Sequence, residues 1–213
     1  MMYNWLLLIL FSLKLNSSDT SYFEGKVEYR NIFKSKVATI TDEQLENMMG
    51  TYQQYYIKEG KYKTVYSGTY FQYNLYTSLE NKLYSKFSME ETLYYNECIT
   101  ASEEIIDYHI TPNTCELLGV ICDELVLKTS KGTYTYYYSN KYKLNHVKFK
   151  NHIFGNWAFY TSVSKAIPLK IITENKMFHM ESVAYQITEM ELKKDFFKIP
   201  QLPTKPSNSL NKN

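Results

Sequence analysis

Arginine is almost missing from this chain. Arg30 is the only one, and Lys+Arg 24 against Asp+Glu 22 leaves a net charge of +2. Lysine and glutamate are interspersed, so no concentrated basic footprint for nucleic acid is present. Seven glycines and five prolines exclude collagen-like and low-complexity classes. Three cysteines are too few for a disulfide-dense scaffold. The longest apolar run, Trp5 to Phe11, is far short of the ~20 residues that a membrane-spanning helix needs. H-E-x-x-H, G-x-S-x-G and Walker loops are all missing, so the chemistry that those spacings serve has no seat here.

Tyrosine is what the chain has in excess, 22 of 213 residues, within a hydrophobic fraction of 44%. That fraction suits one folded domain with a sizeable core. Tyr, Lys and Asn share AT-rich codons, which accounts for part of the excess. The N-terminal run is followed by Ser17 and Ser18, as at a signal-peptidase site, although no Lys or Arg precedes it. The expectation is a signal peptide over 1–18, a domain over 22–200 and a disordered polar tail over 201–213. The protein is then exported, periplasmic or secreted. No cysteine precedes Cys98, so a lipid-anchored mature form is not expected.

Strand signals dominate the domain. Phe23, Val27 and Tyr29 alternate with Glu24, Lys26, Glu28 and Arg30, the period of a half-buried strand. Thr41 and Gln44 form a capping box before Leu45, Met48, Met49 and Tyr52, which predicts a helix over 42–52. From residue 54 to 140 strands follow at short intervals, with turns at Glu59-Gly60, near Asn81 and at Lys131-Gly132. No crossover helices intervene, which excludes parallel βαβ units. Residues 141–160 read as a short helix or a loop over the sheet. Strands return with Ile167, Leu169 and Ile171 facing one way, then Val183, Tyr185 and Ile187, about a turn at Asn175-Lys176. Phe196, Phe197 and Ile199 close the domain. The fold class expected is mostly β with one or two helices (α+β): a curved antiparallel half-open barrel packed on a helix.

Cys115 and Cys122 lie seven positions apart around Gly119. Zinc wants about four ligands at closer pair spacing, and only His109 is near. A thioredoxin-like switch wants C-x-x-C before a helix, whereas the flanks here read as strand. A disulfide across a hairpin fits best, with Cys115–Cys122 the favoured pair and Cys98–Cys122 open as the alternative. His146 and His152 lack a third ligand. His109 and His179 fall in strand patterns, and Glu90-Glu91 and Glu103-Glu104 flank turns. No metal site, no cofactor and no catalytic residue is expected; the chain is not read as an enzyme.

The stretch from Leu118-Gly119 to Cys122 resembles an I-x-G-Y-x-C signature, with Val120 in place of the aromatic. TYTYYYSNKYKLN resembles a Y-Y-T strand, AIPLK at 166–170 a G-x-P-L-K element, and Phe197, Ile199 and Pro200 an F-x-I-P end. In order and spacing these are similar to small secreted proteins of unknown function from Gram-negative bacteria, related to the outer-membrane lipoprotein carrier (LolA-type) fold. The likeness covers roughly residues 22–202. It implies an antiparallel half-barrel around helices, whose carrier relatives hold acyl chains, and it brings no catalytic residues. The functional expectation is a carrier of a lipid or lipoprotein acyl chain. Phe71, Tyr73, Leu75, Leu125, Leu127, Ile167, Leu169, Val183, Tyr185 and Ile187 would line the cavity. A fully packed core is the competing use of the same side chains. The alternative is an envelope protein-interaction module without a small ligand, using tyrosines such as Tyr134, Tyr136 and Tyr138 as its contact surface.

Overall fold

The structure is a computed structural model that describes residues 22–208; the expected signal peptide lies outside the described residues. Twelve strands make one open sheet. The first six are β1 (Gly25–Ser35), β2 (Tyr52–Lys58), β3 (Lys61–Tyr66), β4 (Phe71–Thr77), β5 (Lys82–Phe87) and β6 (Leu93–Glu97). The rest are β7 (Ile105–Leu117), β8 (Val120–Thr129), β9 (Gly132–Lys143), β10 (Ala166–Asn175), β11 (Phe178–Glu189) and β12 (Thr204–Pro206). Their spatial order is β12-β6-β5-β4-β3-β2-β1-β11-β10-β9-β8-β7. Every pairing is antiparallel except β12 with β6. Among the described residues, two α-helices, α1 (Asp42–Met49) and α2 (Trp157–Ser164), accompany the strands of a mostly β structure whose sheet does not close into a barrel. Among the described residues, no helix is long and apolar enough to cross a membrane.

Local chemistry explains the joints. The Thr41 side chain accepts from the Gln44 amide, and the Gln44 side chain accepts from the Thr41 amide, so the capping box forms. The helix stops at Met49 rather than Tyr52, because Gly50 turns the backbone to φ 90° and Tyr52 opens β2. At Glu59-Gly60 and Leu118-Gly119 both residues of a two-residue loop take positive φ, as tight hairpins require.

One face of the sheet is covered by residues 144–164, through Leu144, Phe149, Trp157 and Tyr160. Behind β2–β6 the other face is covered by residues 192–202, where Leu192 and Phe197 bury Leu75, Tyr84 and Leu93. Residues 201–208 depart from the disordered tail expected over 201–213, whose last five residues lie outside the described residues. The Leu93 amide donates to the Pro203 carbonyl at 2.8 Å, and Thr204–Pro206 adds β12 to the sheet edge. Packing of Phe197 and Leu202 brings this polar stretch within pairing reach.

A bulge corrects a second expectation. Glu28 pairs with Gln186 but Tyr29 with Ala184, leaving Tyr185 as the extra residue on β11. Ile187 therefore shares the face of Val27, while Val183 shares that of Arg30, and Tyr185 contacts Arg30 and Tyr52. The three residues do not share one face.

Candidate functional site

Where α2 leans on the first covered face, a cleft of about 220 Å³ remains between the helix and the sheet. Six strands build it. Tyr29 comes from β1, Gln53 and Tyr55 from β2, Tyr62, Thr64 and Tyr66 from β3, and Asn74 from β4. Pro168 and Ile171 come from β10, Met180 and Ser182 from β11, and Trp157 is the wall on α2. Strand period places these residues together: Tyr29 opposes Gln53, and Thr64 opposes both Tyr55 and Asn74. Tyr29, Tyr55, Tyr62, Thr64, Pro168 and Ser182 are buried and form the floor; Gln53, Tyr66, Asn74, Ile171, Met180 and Trp157 are part-exposed at the rim.

The floor is held by its own contacts. The Tyr29 hydroxyl donates to the Pro168 carbonyl at 2.6 Å, and Ser182 donates to Asn31 Oδ1 at 2.7 Å. Tyr62 Oη and His152 Nε2 lie 2.8 Å apart, and the Tyr62 ring packs between Tyr55 and Tyr76 at 5.4 and 5.3 Å. At the rim, Asn74 donates to Tyr66 Oη at 3.3 Å and accepts from Ser85 at 2.7 Å. Such locked rings cost little to organise when a ligand arrives.

No lining residue carries a charge. Burial pushes the phenols of Tyr29, Tyr55 and Tyr62 well up, and that of Tyr66 to about 12, so each keeps its proton at neutral pH. Burial also pushes His152 down to about 4, so it is neutral. The site is uncharged and rich in donors.

Two of those donors have no partner. Tyr55 Oη and Trp157 Nε1 are buried without a hydrogen bond, each on a side chain that lines the cleft. Asn156 Nδ2, on the residue before Trp157, is likewise buried without a hydrogen bond. An unsatisfied buried polar atom costs about 1–3 kcal/mol, so a cluster of them at one cleft calls for an explanation.

None of the ten residues expected to line a cavity borders this cleft. Leu75 is buried on the opposite face beneath Leu192 and Phe197, with Tyr73 packed beside it. Leu125 and Leu127 are fully buried against Tyr160. Ile167 and Leu169 are fully buried in the main core, and Ile187 packs against it. Phe71 sits between the rings of Tyr66 and Phe87. Val183 and Tyr185 lie across the sheet, the latter 38% exposed. Tyr136 and Tyr138 also face inward, packed on Tyr160, and Tyr134 donates to Glu103. Tyr136 and Tyr138 are therefore core rather than exposed surface, because Leu125 and Leu127 draw that face of β9 under α2, and Tyr134 is half-buried.

All three cysteines are thiols. Cys115 and Cys122 are direct partners across the β7–β8 hairpin, as a staple there requires, and Cys98 lies beyond β6, where its carbonyl accepts from Ile153 at 2.7 Å. What sequence reading missed was the inward row Gln53-Tyr55 with Tyr62-Thr64-Tyr66. Its polar residues at alternate, sheet-facing positions were the available signal.

No protein-family model and no curated protein matches the chain. Two solved structures of PNGF-II are similar to it, one in the P21 and one in the C2 space group. Both are 12% identical, with TM-scores of 0.53 and 0.51, and each covers 89% of this chain. The chain spans 32% of their length. At that identity the likeness is one of fold alone.

Proposed function

We propose that this protein is a binding module whose ligand site is the tyrosine-lined cleft beneath Trp157. The observation that carries this reading is the pair of buried donors, Tyr55 Oη and Trp157 Nε1, left without partners behind one uncharged cleft. A bound molecule that accepts hydrogen bonds would satisfy them. At about 220 Å³ the cleft falls below the roughly 300–1,000 Å³ of drug-sized pockets, so the ligand is small. A long acyl chain is served less well here. Leu75, Leu125, Leu127, Ile167 and Leu169, offered as its lining, are filled in by the protein's own side chains. The carrier-type half-barrel remains part of the proposal, supported by an open antiparallel sheet with a helix on one face. So does export, supported by the N-terminal pattern.

The test is nuclear magnetic resonance on the full chain with a panel of small ring compounds and a fatty acid. Shifts concentrated at the Trp157 indole and the Tyr55 ring support the reading. Shifts confined to the other sheet face would sink it.

That other face favours the second reading, an envelope interaction module. Ile32 and Tyr185 are 52% and 38% exposed there, and Arg30 stacks on Tyr185 at 5.1 Å. Arg and Tyr are enriched in interface centres. Ile32→Asp would abolish capture of a partner from envelope extract if this surface is the contact.

A further inference from the structure

We infer that the ligand of this cleft is a neutral, hydroxylated six-membered ring, the size of one monosaccharide unit. This rests on the reading of the cleft as a binding site and adds the chemistry of its occupant.

Charge comes first. No Lys, Arg, Asp or Glu lines the cleft, and the buried phenols and His152 are neutral. A phosphate or carboxylate entering it would lose its water and meet no counter-charge, a penalty that a neutral ligand escapes. Nucleotides and free fatty acids are disfavoured on that ground.

Size comes second. A cleft of about 220 Å³ holds one ring with its substituents and little more.

The distribution of polar groups comes third. Trp157 Nε1 and Tyr55 Oη are donors in need of acceptors, one on the helix wall and one on the floor. Asn74 and Gln53 offer amides at the rim, each both donor and acceptor. Polar partners thus stand on several sides of the space, separated by aromatic surface. A sugar ring has the matching surface: hydroxyls that both donate and accept radiate from its edge, and its faces are patches of C–H. A nucleobase carries its polar atoms in one plane. An acyl chain carries none along its length.

Both orphan donors lie just under the cleft surface, out of contact with solvent. Trp157 is the part-exposed wall, and it sits at the start of an eight-residue helix. As the ring enters, the indole turns outward and both donors meet ligand oxygens. The free protein carries the cost of two unmade hydrogen bonds, and binding removes it.

The experiment titrates the full chain with glucose, galactose, mannose and N-acetylglucosamine, and in parallel with uracil, adenine and decanoate. The readout is the Trp157 indole N–H resonance, assigned with Trp157→Phe because Trp5 is the chain's other tryptophan. The expected result is a saturable shift with at least one sugar. Tyr55→Phe then weakens affinity about tenfold, the worth of one hydrogen bond. The same variant leaves the unfolding midpoint equal or higher, because the hydroxyl it removes is unsatisfied in the free protein. A merely structural Tyr55 would lower that midpoint. If uracil, adenine or decanoate shifts the indole and no sugar does, the saccharide inference falls and the binding reading stands. If nothing shifts it, both fall. Sugar binding that Tyr55→Phe leaves unchanged, or that calorimetry finds unchanged in Trp157→Phe, overturns the inference, since the sugar then sits elsewhere.

Discussion

The hydroxyl of Tyr62 lies 2.8 Å from Nε2 of His152, and the His152 side chain is stacked against Tyr62 and Tyr76 with almost no exposure. Burial holds its pKa near 4, below the roughly 6.5 of an unfolded histidine; the carbonyls of His152 and Phe154 offset only part of that effect. The unfolded chain therefore binds a proton first as pH falls. The contribution to stability is complete above about pH 6.5 and is lost as pH drops towards 4, about 3 kcal/mol across the window. Glu28, held low by the Tyr52 hydroxyl and then by Lys26, adds its own loss below about pH 4.5, so the cleaner range is pH 6.5 to 5. Urea midpoints should fall across that range in the native chain and stay flat in His152→Gln. A native profile with no slope there would remove the assignment.

Gly68 and Gly50 bring two backbones into contact where the end of α1 crosses the β3–β4 connection. A Cβ on Gly68 would stand 2.3 Å from the Met48 carbonyl oxygen and 2.7 Å from the Gly50 amide nitrogen, both backbone atoms that cannot swing aside. Gly68→Ala should destabilise by about 2 kcal/mol or more. Gly119→Ala is the contrast. Nothing lies within 4 Å of its Cβ, and only its φ of 72° opposes the change. That variant should lose about 1 kcal/mol. Thermal melts of the two decide it: equal losses would mean that the crossing is not close.

These glycines mark how far the sequence could be read. The Thr41 cap and the Glu59-Gly60 and Leu118-Gly119 hairpins were legible, because each is decided by residues within a few positions of one another. The face assignment of β11 was not, since the extra residue at Tyr185 is fixed by pairing with β1, some 155 positions away. The cleft is harder still. It joins Tyr29 to Pro168 and Tyr62 to His152, and no local period announces that a helix will stop short of covering a sheet. Leu125 and Ile167 are where the apolar pattern pointed, and they became packed core for the same reason that they were apolar.

Phe197 carries the closure of the second face. It is 3% exposed among Leu75, Tyr84, Leu93 and Leu192, and the chain beyond it supplies β12. Phe197→Ala should cost about 3–5 kcal/mol through the cavity left behind. It should also release the edge: amide exchange at Leu93, bonded to Pro203, should accelerate more than at Leu125 across the sheet. Uniform acceleration would show that the segment is not a separate closing unit.

Cys115 and Cys122 face each other in register, so a disulfide oxidant such as oxidised glutathione should join them. Cys115 is the more accessible, whereas burial lifts the Cys122 thiol to about 11. Cys115 as thiolate attacks the oxidant, forms a mixed disulfide and releases one reduced thiol. Cys122, on losing its proton, then displaces the second. The protein loses two hydrogen atoms and the oxidant gains them. Because the Cys122 thiol yields its proton reluctantly, closure should quicken as pH rises from 7 to 9. The loop is short, so the stabilisation is about 2–3 kcal/mol, read as a higher unfolding midpoint in the oxidised chain than in the reduced one. Cys98→Ser should leave both the mass change and the midpoint gain intact, and Cys115→Ser should abolish them. A peptide map that joins Cys98 to Cys122 instead would refute the hairpin staple and require the β7–β8 register to break.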